Sequence, residues 1–114
     1  MEKLEQQTVS ELKRASRKNN APIWSSIAKS MSKSVSLKKI VNIKKINDFS
    51  KASNIIVVPG KVLGTGNISH KITLCSFSIS NSAAKKIIES GGQILKFNQL
   101  IEKYPSGNGI KIIV

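Results

Sequence analysis

The stretch Ile55-Ile56-Val57-Val58-Pro59-Gly60 decides which folds the chain can adopt. Four consecutive apolar residues leave no polar side for water, and such continuous runs are typical of strands buried on both faces of a parallel sheet. Pro and Gly at the end of the run are strand-breaking signals. We therefore predict a buried strand over residues 55–58 that stops at Pro59-Gly60.

The chain beyond this strand alternates short apolar segments with helical patterns and turn signals. The predicted elements, in order, are a Gly-rich segment over 61–69, a strand over 72–80, a helix capped by Asn81-Ser82 that buries Ala83, Ala84, Ile87 and Ile88 and ends at Gly91-Gly92, a strand over 94–97, a helical segment over 98–104, a turn over 105–109 and a last strand over 110–114.

Before the strand, the pattern changes to helix. Residues 2–18 carry apolar positions at helical spacing and end at Asn19-Asn20, because Asn tolerates left-handed backbone. A second helix is expected to begin at Pro22. The Ser- and Lys-rich residues 30–39 offer few core positions and are expected to form a loop or arm. A short extended segment over 39–43 and a brief helix with Ile46 and Phe49 on one side complete the pattern.

Alternating strands and helices predict an α/β fold. We expect one domain over residues 1–114, with a helical, basic part over 1–39 and an α/β core over 40–114. Residues 41–58 and 95–114 share the order strand, helix, loop, strand. That likeness has two explanations, an internal repeat or the ordinary alternation of α/β chains.

Charge is the most informative property of the composition. The 114 residues carry 19 Lys and Arg against 6 Asp and Glu, which gives a formal net charge of +13. Residues 13–45 contain ten basic residues and no acid. Such density predicts a polyanionic partner, with nucleic acid favoured over an anionic membrane surface and over charge that only maintains solubility.

Enzyme chemistry is difficult to assemble from this sequence. His70 and Cys75 are the only residues of their kinds, and the six acids show no paired spacing. A nucleotide-binding P-loop needs Lys directly before Ser or Thr, whereas Lys61 precedes Val62. We therefore expect no enzyme activity and no cofactor. The polar residues 1–9 do not resemble a secretory signal, so we expect a cytoplasmic protein.

The basic residues and the Gly-rich segment are instead the candidate RNA contacts. Arg14 and Arg17 are three apart and share a helix face, where guanidinium groups can bind phosphates bidentately. Trp24 has two interpretations, stacking on a base or packing in the core. The backbone of the Gly-rich segment is expected to turn sharply at Gly60, Gly64 and Gly66 and to approach phosphates there. The full set of candidates is Lys13, Arg14, Arg17, Lys18, Trp24, Lys29, Lys33, Lys38, Lys39, Gly60, Lys61, Gly64, Gly66, His70 and Lys71.

Several ordered blocks resemble one family, large-subunit ribosomal protein eighteen-e. The segment Ala15–Trp24, followed by Ile27-Ala28, resembles its N-terminal signature. Residues 57–66 resemble its central loop, and Phe77–Ala83 resembles the next block. The length is similar to that of archaeal members. Asn20 and Asn81 stand where Gly is common in the family, and residues 29–39 are rich in Ser and Lys where relatives are often rich in Arg.

The resemblance implies a structural protein of the large ribosomal subunit, related to bacterial large-subunit protein fifteen. It implies an irregular, repeated β-β-α superhelical core with an RNA-embedded N-terminal part. The implied partners are large-subunit rRNA and neighbouring ribosomal proteins, with no membrane and no homo-oligomer. By position, Arg17, Lys18, Trp24, Gly60 and Lys61 would lie at or near rRNA. The alternative is a free-standing nucleic-acid-binding or chaperone module.

Overall fold

The computed structural model describes residues 2–32 and 40–113, with side chains described for residues 9–29 and 40–113. Its helices and strands alternate along most of the chain, which confirms the α/β class. The elements are α1 (Glu2–Asn19), α2 (Pro22–Ser32), β1 (Ile40–Asn42), α3 (Ile43–Asp48), β2 (Ile55–Leu63), β3 (Thr73–Ile79), α4 (Asn81–Glu89), β4 (Gln93–Ile94), α5 (Phe97–Lys103) and β5 (Ile110–Ile112).

The five strands form one sheet in which every pairing is parallel. β2 is the central strand. One of its edges pairs with β3, which in turn pairs with β4. Its other edge is shared by two short strands, because β5 pairs with residues 55–57 and β1 pairs with residues 61–63. The segments β1–α3–β2 and β4–α5–β5 keep the same order of elements but do not repeat the same strand pairing.

The apolar run of β2 is covered on both faces, as predicted. Val57 belongs to one core cluster together with Cys75 and residues of α1, α2 and α5. Its neighbours Ile56 and Val58 belong to a second cluster, with residues of α3 and α4. Side chains alternate across a strand, so consecutive residues of β2 supply two different cores. The result is a sheet between two helical layers.

The prediction that Pro59-Gly60 ends this strand is wrong. β2 continues to Leu63, and both residues are buried inside it. The register with β3 shifts between Val58 and Lys61, and a proline without an N–H is tolerated at such an irregularity. Gly60 is therefore not a turn. The Gly-rich loop, defined here as residues 64–69, begins after Leu63.

Both predicted helix stops are confirmed, and they share one geometry. Asn20 has φ 49°, and the Ala21 N–H donates to the Ser16 carbonyl at 3.0 Å. Gly91 has φ 90°, and the Gly92 N–H donates to the Ile87 carbonyl at 3.0 Å. Each is a Schellman turn, in which a left-handed residue lets the chain satisfy a terminal carbonyl. Asn serves this role at the end of α1.

The start of α4 differs from the prediction by one residue, and two of its four predicted core residues are not buried, because Ala84 is half-buried and Ile88 is exposed. The cap is Ser80, whose hydroxyl accepts from the Ala83 N–H at 3.2 Å, rather than Asn81-Ser82. Ala83 and Ile87 are buried, as expected, but Ile88 is 60% exposed. The sheet therefore covers only part of the apolar side of this helix.

The predictions for two aromatic residues, Phe97 and Phe49, were also wrong. Phe97 begins α5 and does not extend β4, because its side chain is buried against the α1–α2 layer. In α3, Ile43 and Ile46 form the buried side, whereas Phe49 lies beyond the helix end and is 61% exposed. Short segments allow either placement, since too few residues establish a period.

The N-terminal helices are part of the core. Leu12 and Ala15 of α1 and Trp24 and Ile27 of α2 are buried with Val57 of the central strand. The Trp24 indole Nε1–H donates to the Pro105 carbonyl at 2.8 Å. The expected arm over residues 30–39 begins within α2, and residues 33–39 lie outside the described residues. Among the described helices, none has the length and hydrophobicity needed to cross a bilayer.

Trp24→Phe should lower the free energy of unfolding by about 2 kcal/mol, because it removes the hydrogen bond to Pro105 and leaves a smaller ring in a filled core. Urea unfolding measures this difference. The control Ser25→Ala, on the exposed side of the same helix, should change stability by less than about 0.5 kcal/mol. Equal stability of the two variants would contradict the structural role of Trp24.

Burial raises the pKa of the Cys75 thiol from 9.0 to about 12. Between these values the unfolded chain releases the thiol proton and the native chain keeps it, so Cys75 makes stability fall as pH rises. The stability difference between wild type and Cys75→Ala should therefore change by roughly 2 kcal/mol, against wild type, from about pH 8 to about pH 10.5. A difference that stayed constant in urea titrations at both pH values would contradict a buried thiol.

Candidate nucleic-acid interface

One side of α1 carries the densest positive charge among the described side chains. Leu12 and Ala15 point into the core. The four cations between and beyond them are exposed and form the basic face of α1, defined as Lys13, Arg14, Arg17 and Lys18. Arg17 and Lys18 occupy the last helical turn, where the helix dipole favours positive charge. All four are therefore accessible to a partner, as RNA-contacting residues must be.

The basic face borders a groove of about 420 Å³ between α1 and α5. Arg14 and Lys18 line it, together with Glu11 and Glu102. None of these four side chains forms an ion pair with another described residue. Glu11 lies three residues before Arg14 on the same helix, so its position near Arg14 could have been predicted from the sequence. The position of Glu102 depends on how α5 packs against α1.

The prediction that Trp24 contacts RNA is not supported by its position. Its side chain is 0% exposed, and its only polar atom donates to Pro105. No face of the ring is open for a base, so the core interpretation is the correct one. Lys29, in the last turn of the same helix, is exposed. The candidates Lys33, Lys38 and Lys39 lie outside the described residues.

The Gly-rich loop is held between the starts of α3 and α4. Gly66 has φ 102°, and an added Cβ would overlap the backbone of Lys44. An added Cβ at Gly64 would overlap Ser82 in the first turn of α4. The Lys44 N–H donates to the Thr65 carbonyl at 3.0 Å. Glycine is therefore required at both loop positions by close approach of the two helices.

Lys86 is a residue that the sequence analysis missed. Its ammonium donates to the carbonyls of Gly64 and Gly66, at 2.5 and 2.6 Å. These carbonyls therefore point inward, and the hydrogen bonds described for residues 64–66 use carbonyl oxygens rather than N–H groups to hold the loop. No local signal identifies Lys86, because its partners lie 20 and 22 residues away.

The remaining loop candidates occupy different environments. Lys61 is exposed on β2, and Lys71 is exposed just before β3. His70 is half-buried, and its Nε2 lies 2.8 Å from the Ser50 Oγ. Since Ser50 donates its hydroxyl to the Ile46 carbonyl at 2.5 Å, it accepts from His70. His70 thus connects the Gly-rich loop to α3, a structural role that the RNA-contact prediction did not include.

Cations of the opposite helical layer are partly neutralised. Lys44 and Asp48 of α3 are 3.0 Å apart, and Lys85 and Glu89 of α4 are 3.9 Å apart. Both pairs have the i, i+4 spacing that brings side chains together on a helix. The two helical layers therefore differ in how their cations are neutralised, because those of α1 have no acid partner among the described residues.

The described residues hold no arrangement suited to catalysis. They contain no group of three or more His, Cys, Asp or Glu residues that could bind a metal ion. Cys75 is fully buried in β3, and the raised pKa of its thiol keeps it protonated near neutral pH. A protonated, inaccessible thiol is not a nucleophile.

Comparisons with known proteins give a consistent answer. The sequence profile of the family described as "Ribosomal protein 60S L18 and 50S L18e" matches residues 9–114. The protein named large ribosomal subunit protein eL18 from Pyrobaculum aerophilum is 40% identical over 103 residues, which cover 90% of this chain and 84% of that protein. Its namesake from Archaeoglobus fulgidus is 38% identical over 99 residues, 87% of this chain and 85% of the relative.

A third relative of the same name, from Methanococcus maripaludis, is 36% identical over 105 residues, 92% of this chain and 88% of that protein. The family match includes the basic face of α1, the central strand and the Gly-rich loop. The resemblance inferred from the sequence blocks is therefore confirmed. The chain belongs to the L18 and L18e family of large-subunit ribosomal proteins, and it is a structural ribosomal protein rather than an enzyme.

Proposed function

We propose that the chain is a structural component of the large ribosomal subunit that binds rRNA through the basic face of α1 and the Gly-rich loop. The observation that carries this proposal is the basic face itself, four exposed cations within six residues of a helix whose other side is fixed in the core. The membership of the family and the names of the archaeal relatives support the ribosomal setting. In that setting the partners are rRNA and neighbouring proteins of the subunit.

Electrostatics provides the affinity in this proposal. Each phosphate neutralised by a cation releases condensed counterions, so a cluster of contacts gives tight and salt-dependent binding. Arg14 and Arg17 add planar guanidinium groups, which bind phosphate oxygens in pairs. Because Leu12 and Ala15 anchor the helix, the cations are presented from a rigid support. Binding then costs side-chain entropy but little backbone entropy.

The Gly-rich loop adds backbone contacts. Its carbonyls at Gly64 and Gly66 are bound by Lys86, which leaves its N–H groups as the donors that a phosphate would need. Lys61 is exposed at the end of β2 that leads into this loop. These contacts are independent of base sequence, as phosphate contacts generally are.

A free-standing nucleic-acid-binding module is the alternative function. It would share the basic face but would not be stoichiometric with ribosomes. Co-sedimentation separates the two functions, because a subunit protein should remain with large subunits through a high-salt wash. Release of the chain under conditions that retain other subunit proteins would favour the alternative.

Replacing Arg14 and Arg17 together by Gln should weaken binding to large-subunit rRNA by on the order of tenfold for each arginine. The slope of log affinity against log salt should also become shallower by roughly 0.7 to 0.9 for each lost phosphate contact. Filter binding at several salt concentrations measures both quantities.

The matched control for this prediction is Lys51→Gln with Lys85→Gln, which removes two positive charges outside the basic face of α1 and the Gly-rich loop. Both lysines are exposed, so the control matches the loss of net charge and should change affinity and slope much less. If the two double variants lost affinity equally, net charge alone would explain binding and the basic face of α1 would have no special role.

Gly66→Ala should destabilise the fold and weaken rRNA binding, because the new Cβ would force the loop away from Lys44. Its control is Gly109→Ala, where φ is also positive at 79° but no atom lies near the added Cβ. The control should cost roughly 1 kcal/mol, and Gly66→Ala at least about 1 kcal/mol more. Urea unfolding and filter binding report the two effects, and unchanged rRNA affinity in a folded Gly66→Ala protein would exclude the loop from the interface.

A further inference from the structure

A second surface combines an exposed aromatic ring with lysines, away from the basic face of α1. Phe49 is 61% exposed just beyond the end of α3, and Ile112 of β5 is 37% exposed. The two side chains line an open groove of about 350 Å³, completed by Lys45, Lys111 and Ile113. We name it the Phe49 groove. Phe49 and Ile112 therefore place two exposed apolar side chains next to each other in one groove, which is more informative than a single exposed apolar residue.

The backbone that carries Phe49 is fixed on both sides. The Phe49 N–H donates to the Lys45 carbonyl at 3.1 Å, and the Lys111 ammonium donates to the Phe49 carbonyl at 3.2 Å. α3 is anchored by Ile46, which is fully buried and whose carbonyl accepts from the Ser50 hydroxyl. The backbone at Phe49 is therefore pre-organised, and a partner would meet an exposed ring on a fixed support.

The charge in this groove has a single sign. Its lining includes two lysines and no carboxylate. Asp48 precedes Phe49 in the chain but is bonded to Lys44 at 3.0 Å. An aromatic face beside cations fits a partner that offers both a flat ring and negative charge. Unpaired RNA has this combination, because its splayed bases stack on aromatic side chains while its phosphates meet lysines.

We propose that the Phe49 groove binds an unpaired nucleotide of large-subunit rRNA, with the base stacked on Phe49 and adjacent phosphates at Lys45 and Lys111. This inference rests on the proposed rRNA-binding function and adds to it a second contact of different chemistry. The basic face of α1 binds through charge, whereas the groove binds through stacking as well. An acidic protein segment with an apolar anchor is the competing occupant and is one outcome of the test.

The test compares Phe49→Leu, Phe49→Trp and a matched control, Ile88→Ala, which truncates another exposed apolar side chain on α4. The probes are full-length large-subunit rRNA and a single-stranded uridine 12-mer. Stacking on one base predicts that Phe49→Leu weakens 12-mer binding roughly 5- to 100-fold and that Phe49→Trp binds at least as tightly as wild type. Ile88→Ala should bind like wild type. The salt slope of Phe49→Leu should stay unchanged, unlike that of the Arg14 and Arg17 variant.

Fluorescence provides a direct readout of stacking. In the Phe49→Trp protein the introduced indole is exposed, whereas Trp24 is buried and supplies a constant background. Adding the uridine 12-mer should quench the introduced indole, and adding polyglutamate of equal charge should not. Quenching by the nucleotide alone would support a stacked base.

The outcomes separate this inference from the proposed function. If wild type binds rRNA and Phe49→Leu binds each probe as tightly as wild type does, the stacking contact is overturned and the proposed role of the basic face of α1 remains. If Phe49→Leu retains binding while polyglutamate quenches the introduced indole, the groove fits an acidic protein segment and the inference is overturned. If wild type binds neither rRNA nor the 12-mer, both proposals fail together.

Discussion

The structure depends on one constraint, which is that β2 has no side that can face water. Val57 requires cover from one helical layer, and Ile56 and Val58 require cover from the other. Burying a side chain of this size contributes roughly 1.5 to 3 kcal/mol, so exposing either face would remove a substantial part of the few kcal/mol by which small domains are stable. Five helices and four further strands are arranged around this single segment in the described chain.

This arrangement determines where the charge can lie. With the sheet enclosed, cations are restricted to the outer sides of helices and to loops, and the chain segregates them by layer. Lys44 of α3 and Lys85 of α4 are each paired with an acid one turn further along. The cations of α1 have no described acid partner. Lys86 of α4 has a third role, because its ammonium holds the Gly-rich loop. Positive charge therefore performs three tasks: balancing acids, bracing a loop and forming an exposed surface.

Local patterns predicted much of the fold because the relevant physics is local. The helix stops at Asn20 and Gly91 depend on backbone conformation at one residue, which residue type indicates directly. The buried strand at residues 55–58 follows from its composition. The extension through Pro59-Gly60 could not be predicted, because it depends on a register shift against β3.

In the candidate site, too, features set by local sequence could be predicted and features set by distant segments could not. Helical periodicity was sufficient to predict the outward direction of Arg14 and Arg17, since their own helix buries Leu12 and Ala15. Whether an aromatic residue is covered depends on distant segments, and the sequence analysis therefore left Trp24 open between two interpretations and placed Phe49 on the wrong side of the protein surface. The first is sealed by a turn 81 residues away, and the second extends beyond its helix into the open.

The bond between Trp24 and Pro105 has a consequence for the order of folding. It joins the second helix to the turn before the last strand, and β5 itself pairs with the central strand. During synthesis the N-terminal helices leave the exit tunnel long before either partner exists. Their final docking must therefore wait until the segment around Pro105 and β5 has emerged. Contacts of such long sequence separation slow folding and extend the time during which apolar surface is uncovered.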